Sequence, residues 1–152
     1  MGLVTPVISE LKIRDFTIDD YDQLIELWKK ARLPYKPKGR DTKEKIQNEL
    51  KLGNAIFLVA EYEKELHGSV LGSHDGRKGW VNRLAVSPEI QHQGLGKKLV
   101  DELESRIHSL GIEIIACLVE NWNKSSMVVF EKLGYHKHTD IFYFTKRKDP
   151  EV

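Results

Sequence analysis

The sequence has little of several features that would point to a particular environment. Only one of its 152 residues is a cysteine, which excludes an intrachain disulfide. The formal net charge is +1, so the chain lacks the global positive field that favours nucleic acid. Apolar runs stay well short of the ~18 residues that a membrane-spanning helix needs. We therefore expect neither a nucleic acid nor a membrane as a partner.

The rest of the composition is that of an ordinary globular protein, with 40% hydrophobic and 31% charged residues. A chain of this length buries about two-thirds of its unfolded surface in one core, so a single domain over residues 1–152 is expected. Residues 1–6 lack a basic segment followed by an apolar core, which predicts a cytoplasmic location. The six histidines show no metal-ligand spacing, so no metal is expected.

One stretch near the middle of the chain reads as a strand, a turn and a long helix. The apolar run at residues 84–86 must end before Pro88, which lacks an N–H for a strand ladder. Helical apolar spacing resumes at Leu95 and continues to Leu110, and Gly111 is typical of a helix end. The turn between strand and helix is residues 91–97.

Two glycines, Gly94 and Gly96, stand where this helix begins. Without a Cβ they let a ligand approach the backbone, while the N–H groups of a first helical turn have no intrahelical acceptor. Each charge-assisted hydrogen bond to such a group is worth roughly 1.5–3 kcal/mol. The turn therefore predicts a site that holds a diphosphate on main-chain amides, without a metal.

The pattern Gln91-x-x-Gly94-x-Gly96 resembles the pyrophosphate signature of the GNAT superfamily, the acetyl-CoA-dependent N-acetyltransferases. A hexapeptide of this kind also occurs by chance at helix starts, but here the flanking strand, Ser87-Pro88 and the amphipathic helix stand in the family's order. The resemblance implies acetyl-CoA as the cosubstrate. It assigns coenzyme binding to Leu84, Ala85, Val86, Gln91, His92, Gln93, Gly94, Leu95, Gly96, Lys97, Asn123 and Phe130.

The whole pattern of elements also follows the family. Periodicity predicts strands over residues 8–16, 55–62, 65–73, 80–86 and 112–119, and a final hairpin over 135–146. Helices are predicted after a capping box at Thr17–Asp20, after a cap at Asp41, over residues 95–110 and over residues 123–133. The order βααβββαβαββ is that of the GNAT fold. It implies an α/β (α+β) domain with a mixed, mostly antiparallel sheet flanked by helices and splayed between its fourth and fifth strands.

The acid–base half of the family's site is not matched. The usual tyrosine position holds Phe130 and the usual glutamate position corresponds to Leu118, and neither side chain can move a proton. As catalytic candidates there remain Asn82, which could orient a water, and Glu120, which could accept a proton through that water. A solvated Glu120 without a role and direct loss of the thiolate to water are the alternatives.

The acceptor is less constrained than the coenzyme. In the family, the segment joining the first two helices commonly lines the acceptor site; here Tyr35, Lys36, Lys38 and Arg40 lie in it. Their charge would suit an acceptor with a carboxylate or phosphate, although a solvated loop explains them equally well.

The function predicted from these features is acetyl transfer to a primary amine, with a small molecule favoured as the acceptor. The alternatives are the α-amine of a protein, as in ribosomal-protein-type enzymes, and a non-catalytic acyl-CoA-binding module. A homodimer is left open.

Overall fold

A computed structural model describes residues 5–152. Residues 1–4, which belong to the stretch used to predict the location, lie outside the described residues. The sheet has five strands in the order β1-β2-β3-β4-β5. They are β1 Lys12–Asp15, β2 Ala55–Tyr62, β3 Glu65–His74, β4 Lys78–Val86 and β5 Ile114–Cys117. Strands β1 to β4 pair antiparallel and β5 pairs parallel with β4, which confirms the predicted mixed, mostly antiparallel sheet.

The helices begin where the sequence offers a cap. They are α1 Tyr21–Lys30, α2 Lys43–Lys51, α3 Leu95–Ser109 and α4 Lys124–Lys132. The predicted capping box is present before α1, where the Asp20 carboxylate accepts the Thr17 N–H at 2.9 Å. At the start of α4 the Asn123 side chain accepts the N–H of Ser126 at 3.2 Å. Helix α2 differs from the prediction: Thr42 is its N-cap, because Asp41 is buried in an ion pair elsewhere.

Each face of the sheet carries its own apolar core. On one side, the α3 face, the α3 residues Leu95, Leu99, Leu103 and Ile107 pack with Phe130 of α4 against the strands. On the opposite side, the α1 face, Leu24 and Trp28 of α1 and Ile46 of α2 pack against Phe57, Val59 and Leu71. The sheet is thus a central layer between two pairs of helices, as the resemblance implied. No helix in residues 5–152 combines the length and hydrophobicity needed to cross a bilayer.

Three sequence predictions about strands are wrong in detail. The first strand, predicted over 8–16, begins only at Lys12, because residues 8–10 form a 3-10 turn. The strand predicted over 112–119, whose nearly continuous apolar run indicates burial on both faces, shrinks to β5, an edge strand whose Ile114 is 54% exposed. The hairpin predicted over 135–146 is not formed: this segment runs without strand pairing and is mostly exposed. These strand-forming residues do not pair with β5, the last strand of the sheet, and therefore form no strand.

Candidate coenzyme and acceptor site

The predicted phosphate turn lies between β4 and α3. Strand β4 ends at Val86, a 3-10 turn covers Pro88–Ile90, and α3 begins at Leu95. Gly94 is the N-cap of α3 and has a φ of +89°, a left-handed conformation that glycine adopts without strain. The side-chain amide of Gln91 donates to the Val86 carbonyl at 3.3 Å and so ties the turn to the end of the strand.

The main-chain N–H groups of residues 92–97 have no hydrogen-bond acceptor within residues 5–152. The first backbone bond of the helix is from the Lys98 N–H to the Gly94 carbonyl, at 3.1 Å. Residues 91–94 are exposed, so solvent or a ligand can reach this turn. Six free donors at the positive end of a 15-residue helix form a favourable environment for an anion.

Next to this turn, strands β4 and β5 part. Their pairing covers only Lys78–Val81 against Ile114–Cys117, and residues 82–86 have no strand partner on that side within the described chain. The parting is the predicted splay between the fourth and fifth strands. It leaves the residues predicted to pair with the pantetheine arm, Leu84, Ala85 and Val86, without a partner in β5.

A β-bulge lies at the point where the strands part. Leu71 pairs with Arg83 and Gly72 with Val81, so Asn82 is an extra residue in β4. Simple alternation along the strand predicts that Asn82 shares a face with Leu84, and this is wrong because the bulge shifts the alternation. Leu84 packs into the core of the α3 face, whereas the Asn82 amide donates to the hydroxyl of Ser73 at 2.9 Å.

The second catalytic candidate, Glu120, is exposed and lies three residues beyond Cys117, the last residue of β5. Asn82 follows Val81, which pairs with Cys117, so both candidates lie just past the end of the β4–β5 ladder. The Glu120 carbonyl accepts the Asn123 N–H at 2.9 Å, which fixes the backbone between β5 and α4.

The aromatic residues of α4 and the following segment are packed. Phe130 is 8% exposed and lies edge-on to Tyr135, with ring centroids 5.2 Å apart. The Tyr135 hydroxyl donates to the Glu104 carboxylate at 2.7 Å. Burial, and secondarily the hydrogen bond to Glu104, raise the pKa of Tyr135 above its ordinary value. Tyr135 is therefore a packing residue and a poor proton donor.

The segment between α1 and α2 holds the predicted acceptor residues, but their side chains lie in different environments. The Tyr35 ring packs against Trp28, with centroids 6.1 Å apart, and belongs to the core of the α1 face. Lys36 is half-buried and its ammonium lies 3.4 Å from the Pro150 carbonyl. Lys38 and Arg40 are exposed. Only the last two present free charge to solvent.

The structure brings a buried ion pair to this segment that sequence reasoning missed. Arg83 of β4 donates to the Asp41 carboxylate at 2.8 Å, and both side chains are about one-tenth exposed or less. The Arg83 guanidinium also lies over the Trp28 ring, 4.9 Å from its centroid. The Asp41 carboxylate accepts the Lys36 N–H at 2.6 Å as well. This pair fastens the predicted acceptor segment to β4 directly beside the bulge. The two residues are far apart in sequence, so no local pattern could have indicated it.

Glu49 of α2 faces this ion pair. Burial raises the pKa of the Glu49 carboxyl, the negative charge of Asp41 raises it further, and Arg83 opposes both effects. Within residues 5–152, no group of three or more histidine, cysteine, aspartate or glutamate side chains is arranged to hold a metal ion.

Comparisons with known proteins agree with this architecture. The family model described as the acetyltransferase (GNAT) family matches residues 21–135. An acetyltransferase of Photorhabdus laumondii is 33% identical over 138 residues, covering 90% of this chain and 95% of that protein.

Two solved structures share the fold. One is the PaiA N-acetyltransferase of Thermoplasma acidophilum in complex with coenzyme A, with a TM-score of 0.72 and 24% identity over 80% of this chain and 87% of the other. The second is an aminoglycoside acetyltransferase from an uncultured soil metagenomic sample, with a TM-score of 0.76 and 22% identity over 93% of this chain and 100% of the other.

These matches identify the class of the protein as acetyl-CoA-dependent N-acetyltransferase. The chain belongs to the GNAT family of acetyltransferases.

Proposed function

We propose that this protein transfers the acetyl group of acetyl-CoA directly to a primary amine of a small molecule. The observation that carries the proposal is the row of main-chain N–H groups over residues 92–97, none of which has an acceptor within the described chain. Free N–H groups at the positive end of a helix favour a ligand with several anionic oxygens, and this turn is open to solvent. The pyrophosphate of the coenzyme is such a ligand.

The proposed coenzyme site continues from this turn along β4. The amides of His92, Gln93, Gly94, Leu95, Gly96 and Lys97 hold the phosphates, and Gln91 fixes the shape of the turn. The main-chain groups of Leu84, Ala85 and Val86 that face away from β3 hold the pantetheine arm in the gap beside β5, except for the Val86 carbonyl, which accepts the Gln91 amide. Asn123 and Phe130 border the site from α4: Asn123 holds the start of the helix, and Phe130 supplies an apolar wall.

The bound coenzyme supplies the activated acetyl group, and the protein must supply the acceptor as a neutral amine. An alkyl amine has a pKa of about 10.4, so roughly one molecule in a thousand is neutral at pH 7. We propose that Asn82 orients a water at the bulge and that Glu120 accepts the amine proton through it. The Asn82 amide already donates to Ser73, which leaves its carbonyl oxygen to accept from that water.

The acceptor enters, in this proposal, beside the segment that joins α1 and α2. Tyr35 forms part of its apolar floor, and the exposed Arg40 and Lys38 attract an anionic group on the acceptor, with the half-buried Lys36 beside them. A small molecule is favoured because the similar metagenomic structure is named as an aminoglycoside acetyltransferase. We further propose a homodimer, and the cytoplasmic location stays a prediction.

Release of free coenzyme A thiol from acetyl-CoA, measured against a panel of small amines and a panel of peptides with free N-termini, tests this function. We expect turnover with one class of small amine and none with peptides. Turnover only with peptides would assign the protein to the α-amine acetyltransferases. Coenzyme binding without turnover of any acceptor would make the chain an acyl-CoA-binding module, which the inert Phe130 and Leu118 would then explain.

A further inference from the structure

Part of the α1 face of the sheet stays open to solvent. Val81 belongs to the core of the α3 face, so Trp80, which precedes it in β4, points to the α1 face. The strand register places Trp80 between Ser73 of β3 and Ala116 of β5. All three residues are partly exposed, and they are called the open patch below. A small molecule can therefore reach the sheet at this place.

The open patch is in direct contact with the bulge of β4. The Asn82 amide at the bulge donates to the hydroxyl of Ser73 in the patch, at 2.9 Å. In the proposed function, the reacting amine of the acceptor lies at this bulge, and the acceptor enters from the α1 face. The remaining atoms of the acceptor therefore lie on the open patch or between it and α2.

Glu49 of α2 brings a carboxylate without a partner to this region. It lies three residues after the buried Ile46, on the side of α2 that faces the sheet. Its carboxyl is partly buried, and no residue in 5–152 forms a hydrogen bond or an ion pair with it. Burial and the nearby Asp41 raise the pKa of Glu49, as expected for a carboxylate that lacks a cation of its own.

The positive charges around Glu49 are engaged elsewhere or lie in solvent. Arg83 donates to the Asp41 carboxylate at 2.8 Å and also to the Pro34 carbonyl. Arg40 faces the same cluster, but it is exposed and forms no ion pair with Glu49 within the described chain. The ionised Glu49 thus costs stability without a compensating contact. Groups that a protein keeps at such a cost are typical of binding and catalytic sites.

Trp80 adds an aromatic ring that attracts positive charge. The ammonium of Lys78 lies 5.4 Å from the centroid of this ring, a cation–π distance. Glu49 faces Arg83, which follows Asn82 in β4, and Trp80 lies two residues before Asn82. The carboxylate and the ring therefore border the bulge from two sides. A carboxylate together with an aromatic face suits an alkylammonium group.

We propose that Glu49, together with the ring of Trp80, binds a second ammonium group of the acceptor, one that is not acetylated. The preferred acceptors are then small molecules with two amines joined by a short chain. The inference rests on the proposed function, which places the reacting amine at the bulge. It is separate from the anionic group that Lys38 and Arg40 attract. The binding is non-covalent, so the second amine stays protonated and Glu49 stays ionised.

Thiol-release kinetics with matched pairs of amines test the inference. Each pair has the same chain length, as in n-butylamine and 1,4-diaminobutane, over a series from propyl to hexyl. For the best pair, we expect kcat/KM to be about tenfold or more higher for the diamine, as a charge-assisted contact would give. Glu49→Gln should abolish this ratio, mainly through a higher KM for the diamine, and Trp80→Leu should lower it about threefold. The matched control is Glu44→Gln, which makes the same change at an exposed position of α2 and should keep the ratio.

Calorimetric binding of the diamines to the protein saturated with coenzyme A separates this inference from the proposed function. We expect binding about tenfold weaker in Glu49→Gln than in the wild type. If no amine is acetylated but a diamine binds through Glu49, the proposed function fails and the inference holds. Equal kcat/KM for monoamines and diamines in the wild type, or an unchanged ratio in Glu49→Gln, would overturn the inference and leave the proposed function standing. Absence of both turnover and diamine binding would overturn both.

Discussion

The substitution Gly96→Glu tests the phosphate site most directly. Gly96 lies in the first turn of α3, and a Cβ built on it would have only Leu84 and Val86 as near neighbours, at 3.7 and 3.8 Å. Those are ordinary contact distances, so the fold can accept a side chain there. The new carboxylate would lie at the mouth of the free amides and would compete with the phosphates for them.

The effects on stability and on binding should have opposite signs. Replacing glycine within a helix stabilises it by roughly 0.5 kcal/mol, and an acidic side chain in the first turn adds about 0.3–1 kcal/mol. Losing two charge-assisted hydrogen bonds to the coenzyme costs about 3–6 kcal/mol, which corresponds to at least a 100-fold weaker dissociation constant. We therefore expect a protein that unfolds at slightly higher urea concentration and no longer binds coenzyme A measurably.

Isothermal titration calorimetry with coenzyme A, together with urea unfolding, measures both quantities. The control is Gly96→Ala, which also stabilises the helix but adds no charge. It should weaken coenzyme binding far less than Gly96→Glu does. Unchanged affinity in Gly96→Glu would refute the assignment of the pyrophosphate to this turn. Equal losses in the alanine and glutamate variants would show that steric crowding, and not charge, governs the site.

Four further substitutions test the acid–base proposal and the buried charges. Glu120→Gln should lower turnover more at pH 7, where the amine needs a proton acceptor, than at pH 9; equal losses in a pH series of kcat would remove Glu120 from the mechanism. Arg83→Met should lower the free energy of unfolding by about 3–5 kcal/mol in urea titrations, because it leaves the Asp41 carboxylate buried without its partner. Adding Asp41→Asn should recover part of that loss, and an additive double variant would contradict a direct interaction. The raised pKa of Glu49 means that the folded chain holds this proton more tightly than the unfolded chain, so ionisation costs stability as pH rises above the ordinary value of 4.5. Glu49→Gln should therefore stabilise the protein at pH 7 and leave it unchanged at pH 3, as measured by thermal unfolding at both pH values.

Local signals in the sequence were sufficient for most of the elements. The β2–β3 hairpin was predicted within a residue, with Glu63 and Lys64 as its turn, and both have the positive φ that a tight hairpin requires. Helix α3 was predicted because its apolar spacing runs unbroken from Leu95 until Gly111, which has a φ of +83°. In each case the pattern lies within the element, so neighbours in sequence carry all the information.

Parts of the candidate site could be predicted equally well. The phosphate turn could be predicted from Gly94 and Gly96 alone, because every helix start without a side-chain cap has free N–H groups. The bulge at Asn82 could not be predicted, since it arises from the register between β3 and β4 and decides which residues face the acceptor side. For the same reason the sequence placed Asn82 and Leu84 on one face.

What the sequence by itself determined, then, is the order of the elements, the start of α3 and the family. Only the tertiary structure decided that Asp41 pairs with Arg83 and does not cap α2. A buried carboxylate is stable only beside a cation, and here a distant strand supplies that cation. It also decided that Ile141–Phe144 forms no strand within the described chain. Those residues have a high strand propensity, but a strand forms only where its main-chain groups pair with another strand, and these residues do not pair with β5.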